Sequence, residues 1–256
     1  MIHRISTLSY FVFLEAIRSK FYLLVIIAAL VGLFFGSFAE SLSITEGEQI
    51  QSALIAALLR ITVVFSLCLF VVTTMSRETQ DQSLDMILAT RVTRTEYYLG
   101  KMLGFACVAL LITGILTVFL LTLAPANQVL LWAVSLFFEL LIIISFALFC
   151  SVSFENQPLA IFMVMGFYLL ARSIVAIELI AQSPTIVEDS LSQQFMPMVV
   201  SAIASLLPDF SSFTRTEWLV YQTGQWSELF ALFLQTAIYV SLLLFAGLID
   251  FYRKNV

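Results

Sequence analysis

Side chains that do chemistry are scarce in this sequence: there is one histidine, His3, and three cysteines, Cys68, Cys107 and Cys150. A single histidine near the N-terminus excludes Ser-His and Cys-His catalytic pairs and any multi-histidine metal site. The cysteines all fall inside apolar stretches without C-x-x-C spacing, so no zinc site or disulfide framework is indicated, and they are expected to be packing residues. Met196-Pro197-Met198 has no cysteine or histidine beside it and is expected to pack rather than bind a soft metal. Charge is sparse too. Charged residues make up 11% of the 256 positions and the net charge is -5, which leaves no basic patch for nucleic acid. Gly100-Lys101 has threonine where a phosphate-binding loop needs its first glycine, and methionine after the lysine, so the chain has no Walker A loop.

Apolar sequence is abundant instead. Hydrophobic residues account for 61% of the chain and the mean hydropathy is +1.03, far outside soluble composition. Several runs reach the roughly 20 residues needed to cross a hydrocarbon core about 30 Å thick. The pattern predicts an all-α integral membrane protein forming a single transmembrane domain, with six spans at 21–39, 53–75, 102–124, 129–150, 158–180 and 229–249. The connections 125–128 and 151–157 are short, so the spans they join are expected to be antiparallel neighbours. Pro125 ends one run, and Pro158 suits the first turn of the next.

Basic residues set the orientation. Nine of them fall on one side: Arg4, Arg18, Lys20, Arg77, Arg91, Arg94, Lys101, Arg253 and Lys254. The other side has Arg215 alone and collects Glu40, Glu46, Glu48, Glu188, Asp189, Asp209 and Glu217. Both termini are therefore expected in the cytoplasm. Residues 1–20 place Arg4, Thr7, Glu15 and Arg18 against Ile5, Leu8, Val12 and Ala16 at helical spacing, which suits an amphipathic helix lying in the headgroup plane. The apolar run that follows, ending at Ser37-Phe38-Ala39, is too long for the core of a cleaved signal peptide.

The external connection 181–228 contains an apolar run at 195–207 that is too short to span and fits a re-entrant or interfacial helix. After a turn at 209–213, Thr214-x-x-Glu217 reads as a capping box opening a short helix that Gly224 closes, with Trp218, Tyr221 and Trp226 as an interfacial aromatic belt.

The loop 76–101 reads as two helix starts. Ser83 caps a short helix with Asp85 in its first turn, and Leu84, Ile87 and Leu88 share one face, an arrangement suited to docking into a partner's groove. Thr93-x-x-Glu96 is a second capping box, opening the helix that becomes the third span.

In this loop Arg77-Glu78, Leu84, Ile87-Leu88, Val92-Thr93-Arg94 and Gly100-Lys101 fall in register with the pattern of one family. The chain resembles the permease subunits of type-2 ATP-binding-cassette (ABC) exporters, and is most similar to their multi-copper-enzyme-maturation subgroup. Gln82-Ser83 stands where the family has Gly-Thr, and Arg91 where it has proline. Phe13-Leu14-Glu15-Ala16-Ile17-Arg18 and Leu206-Leu207-Pro208-Asp209-Phe210 resemble the family's N-terminal and last-external-loop segments. The resemblance implies a subunit of the bacterial inner membrane. Its cytoplasmic coupling helix would meet a separate ATPase through Arg77, Glu78, Ser83, Leu84, Asp85, Ile87, Leu88 and Arg91. It further implies two ATPase copies binding ATP and Mg, and a second permease copy as homodimer or related heterodimer. No cofactor is expected in this chain itself. Membrane lipid is the remaining partner.

Three ions lie inside predicted spans. Arg60, Arg172 and Glu139 sit about seven, eight and ten residues below the outer ends of their spans, depths that agree within about 5 Å. Intramembrane ions normally face the protein interior with a partner, so Glu139 is expected to pair with Arg60 or Arg172, as a structural pair or as a polar lining of a transport path. Two other functions fit the composition: a proton-coupled secondary carrier with Glu139 as its proton site, and a scaffold that recruits a partner through the 76–101 loop. The apolar spans and acidic outer loops favour a lipid-like, peptide or amphipathic cargo over a small hydrophilic anion.

Overall fold

The computed structural model describes residues 2–42, 47–81, 92–182 and 191–253. Nine helices follow one another through the described residues, among which there is no strand. They are α1 (Ile2–Arg18), α2 (Phe21–Leu42), α3 (Gly47–Gln80), α4 (Arg94–Leu120), α5 (Ala126–Ser153), α6 (Gln157–Gln182), α7 (Leu191–Leu206), α8 (Thr216–Val220) and α9 (Trp226–Arg253). Five of them, α3, α4, α5, α6 and α9, are each long and apolar enough to cross a membrane, so the chain is a multi-pass membrane protein. Helix α1 and the described part of α2 meet that standard only together, bent by 50°. The bend sits at Ser19-Lys20, where Lys20 takes a left-handed φ of 54° and breaks the helical ladder.

Helix α5 is the centre of the bundle. It packs against α3, α4, α6, α8 and α9, and Leu131, Trp132, Leu136, Leu140, Ile143, Ala147 and Leu148 are fully enclosed. Apolar on every face, it reads as the helix that other helices surround. Lipid tails are as apolar as these side chains, so the bundle is held by close packing and by internal polar contacts. Close packing is most evident between α1 and α4. A Cβ on Gly100 would lie 2.8 Å from Leu8 Cβ, and one on Gly104 would lie 2.6 Å from Val12 Cβ. The two glycines, four residues apart on one face of α4, form the groove in which α1 lies.

Helix starts and ends follow local chemistry. The capping box at the head of α4 is complete: Glu96 N donates to Thr93 Oγ1 at 3.3 Å and Thr93 N donates to Glu96 Oε2 at 3.0 Å. Helix α4 stops at Leu120, short of the expected residue 124, because the chain turns through Leu121 to Ala124 to reach Pro125. The α8–α9 connection is tied to the head of α5, with Trp226 Nε1 donating to Asn127 Oδ1 at 2.8 Å and Gln128 Nε2 donating to the Gln222 and Gly224 carbonyls, each at 3.3 Å.

Four expectations change here. Thr214 does not cap α8: the N-cap is Arg215, without a side-chain bond, because the Thr214 hydroxyl is used inside the bundle. Gly224 does not close α8, which ends at Val220; Gln222 takes the left-handed turn (φ 56°), and Gly224 makes room for Trp218, whose Cγ would lie 2.9 Å from a Cβ there. Trp218 is accordingly buried rather than part of an interfacial belt, while Tyr221 and Trp226 are exposed. Cys68 and Cys150 are buried, but Cys107 is exposed. It lines a groove of about 410 Å³ between α1 and α4, shared with Ser6, Ser9, Tyr10, Phe13, Leu110 and Leu111.

Candidate functional site

Two polar clusters interrupt the apolar bundle. The first lies at the α1 end, where α3 and α4 bracket the connection through residues 82–91. Glu78, in the last turn of α3, accepts hydrogen bonds from Lys101 Nζ through Oε1 and from Tyr97 Oη through Oε2. Lys101 and Tyr97 are four residues apart on α4, so they share a face, and the Lys101 ammonium also lies 5.6 Å from the centre of the Tyr97 ring. Glu15 of α1 stands within electrostatic reach of Lys101, Glu78 and Arg77 and beside Thr74. Arg4 of α1 meets the capping carboxylate Glu96 at 3.5 Å. Three stretches far apart in sequence, around Glu15, Arg77-Glu78 and Gly100-Lys101, thus converge on one spot.

Of the residues expected to meet an ATPase, Arg77 and Glu78 are in this cluster. Ser83, Leu84, Asp85, Ile87, Leu88 and Arg91 lie outside the described residues. Beside the start of that connection is a recess of about 250 Å³ lined by Ser76, Thr79, Gln80, Ser151, Phe154 and Glu155, between the end of α3 and the α5–α6 turn.

The second cluster is inside the bundle at its other end. Glu139 of α5 is fully enclosed. Arg172 of α6 lies 3.5 Å from its Oε1, and Thr214 Oγ1 donates to its Oε2 at 2.7 Å. Arg172 is therefore the ion-pair partner, and it does more than neutralise. Its Nη1 also donates to the Phe210 carbonyl and, at 3.1 Å, to the Phe213 carbonyl. Arg60 of α3 does not contact the carboxylate; its Nη1 donates to the Thr214 carbonyl at 3.1 Å. The Thr214 N–H donates to Ser135 Oγ at 2.9 Å, one helical turn from Glu139 on α5. Tyr168 is buried on the same side.

These contacts explain how a loop tolerates membrane depth. Residues 210–214 turn back into the bundle with Thr214 at a left-handed φ of 44°, and their carbonyls have no helical partner. Two arginines satisfy the Phe210, Phe213 and Thr214 carbonyls instead, and Ser135 accepts from the Thr214 N–H. Phe210 and Phe213 complete the plug, packed edge to face 5.8 Å apart. Just outside, Asp209 is half-buried, which pushes its carboxyl up. The Ser211 and Ser212 hydroxyls, with the backbone N–H groups of the same residues, outweigh that and hold it below the ordinary aspartate range.

Sequence reasoning missed Ser135, Tyr168, Thr214 and Gly104. Ser135 had a usable signal, since it stands one turn from Glu139 and the two share a face of α5. Among the described residues, no group of three or more His, Cys, Asp or Glu side chains is placed to hold a metal ion.

A family model described as "ABC-2 family transporter protein" matches residues 40–248. A comparison with curated proteins finds no match.

Proposed function

The chain belongs to the ABC-2 family of transporter proteins, and on that premise we propose that it is the permease subunit of an ATP-driven exporter, powered by a separate ATPase. Subunits of this family are transport components rather than ATPases, and they generally work with an ATPase partner. Six spans make up the proposed membrane domain: the five that stand alone and α2, with α1 lying in the headgroup plane. Both termini and the 82–91 connection face the cytoplasm of a bacterial inner membrane, as the nine basic residues on that side favour.

The observation that carries the reading is the tie between Glu78, Lys101 and Tyr97. It joins the helix that enters the 82–91 connection to the helix that leaves it, and α1 packs along the second of them. A loop with an apolar face at Leu84, Ile87 and Leu88, mounted on such a base, is suited to receive a push from a docked protein and pass it into two spans at once. In the sequence pattern Ser83 stands as the cap of that segment, and Asp85 and Arg91 as its charged edge. The ATPase supplies the ATP and Mg chemistry, and a second permease copy completes the path. Glu139 is assigned a structural role, since its carboxylate fixes the residue 210–214 plug together with Arg172.

Purification in mild detergent tests the proposal. An ATPase with a Walker A loop is expected to elute with the chain, its hydrolysis stimulated by the association. A chain that elutes without one, from cells that contain such ATPases, contradicts it.

A further inference from the structure

Arg94 opens α4, and it is the wrong charge for that place. A helix N-terminus carries partial positive charge and favours acids, as Glu96 two positions on shows; a cation there acts against its own helix. The guanidinium answers to another helix instead. Its Nη1 donates to the Phe251 carbonyl at 2.7 Å and to the Tyr252 carbonyl at 3.3 Å, in the last turn of α9. Carbonyls there have no helical donor of their own and carry the negative end of the α9 dipole.

The contact is reinforced on every side. The Arg94 guanidinium carbon lies 5.7 Å from the centre of the Phe251 ring. That ring in turn packs against Tyr97 and Tyr98 of α4, with centroids 5.8 and 6.3 Å away. Thr95 Oγ1 and Tyr252 Oη are 2.9 Å apart. Gly247 of α9 admits Tyr98, whose Oη would be 2.1 Å from a Cβ at that position. One turn before the end of α9, Asp250 accepts from Ser153 Oγ at 2.6 Å, tying the same segment to the end of α5.

We infer that Arg94 is a positioning residue that lashes the end of α9 to the first turn of α4, so that displacement of the 82–91 connection is delivered to the last span as well as to α3 and α4. The inference rests on the coupling reading above. The first turns of α4 then form a hub with three lines out: Glu96 to Arg4 of α1, Lys101 and Tyr97 to Glu78 of α3, and Arg94 to α9. The α9 line matters because α9 meets α5, the centre of the bundle, along its length. Packing alone permits sliding. A two-carbonyl guanidinium contact, placed where the driven loop ends, does not.

The test uses the chain assembled with its ATPase in nanodiscs, with Cys68, Cys107 and Cys150 replaced. Spin-label pairs report Leu103 on α4, or Arg253 at the end of α9, each against Thr223 at the opposite end of the molecule; all three positions are exposed. Distances are compared without nucleotide and with ADP-vanadate trapped. Both labels are expected to shift in the otherwise unchanged chain. In Arg94→Gln the shift at 253 should be lost while that at 103 persists, and Arg94→Lys, which keeps the positive charge on a single donor nitrogen, should restore part of it. If Arg94→Gln does not assemble, Thr95→Val combined with Arg94→Lys serves for the same comparison. A shift at 253 that survives in Arg94→Gln overturns the lash. Loss of both shifts also overturns it, because Arg94 then acts before α4. No shift at either position in the unchanged chain instead rejects the coupling reading itself, and the inference with it.

Discussion

Lys101 of α4 donates its ammonium to Glu78 of α3, closing the two limbs of the 82–91 connection against each other. Both side chains are largely withdrawn from solvent, with 5% and 18% of their surface exposed. Removing one partner of such a pair strands the other, at a typical cost of about 3 to 5 kcal/mol. Lys101→Gln is therefore expected to lower the melting temperature in detergent. Lys101→Gln with Glu78→Gln should recover much of the loss, leaving Tyr97 to bond the neutral amide. A double variant as unstable as the single one, with no coupling between the sites, counts against the tie.

Glu139 gives a sharper comparison, because two arginines stand near it and only Arg172 pairs with it. A double-mutant cycle between Glu139→Gln and Arg172→Gln should show a coupling energy in the range of about 0.5 to 3 kcal/mol for residues in contact. The cycle with Arg60→Gln should show less. Rescue in the Arg172 cycle will be partial, since that residue also holds the Phe210 and Phe213 carbonyls. Equal coupling in the two cycles contradicts the assignment.

The groove that seats α1 is tested by size alone. Gly104→Val drives methyl groups into Val12, an overpacking that typically costs about 1 to 3 kcal/mol. Helix α1 should lift, and protease cleavage between α1 and α2 should accelerate. Adding Val12→Ala should restore protection. Unchanged protection in Gly104→Val alone contradicts the close approach of the two helices.

Asp209 predicts a pH dependence. Its folded pKa lies below the ordinary value, near 3.9 for an unfolded aspartate, so its contribution is fully present above that value and is lost as pH falls through the folded one. With Ser211→Ala and Ser212→Ala the hydroxyl donors are gone and only the backbone N–H groups still oppose burial, so the stabilising contribution at neutral pH shrinks. Melting temperatures recorded from neutral pH down to pH 3 should fall for the native chain and fall less for the double variant. Parallel curves reject this account of Asp209.

The sequence made the long helices legible because their apolar runs are unbroken, and the Thr93–Glu96 box because both its bonds are local. It made the common level of Arg60, Glu139 and Arg172 in the bundle legible by counting residues. It did not reveal which arginine pairs with the carboxylate, because that depends on how α3 and α6 rotate about α5. Thr214 misled for a related reason: Thr-x-x-Glu is a cap only if the threonine faces its own helix, and here a buried carboxylate competes for the hydroxyl. Gly104 was silent because a glycine in an apolar helix carries no mark of its neighbour. Arg94 looked like one more cytoplasmic cation, and its target lies 157 residues away.

The central claim is that residues 82–91 receive an ATPase, and a photo-crosslinking residue at Asp85 tests it most directly. Illumination of the membrane-embedded chain is expected to yield one dominant adduct with an ATPase carrying a Walker A loop. Leu84→Ser with Leu88→Ser should abolish that adduct, since each fully buried leucine contributes about 1.5 to 3 kcal/mol. An adduct with a protein of another kind, or an ATPase adduct undiminished by the double substitution, contradicts the account.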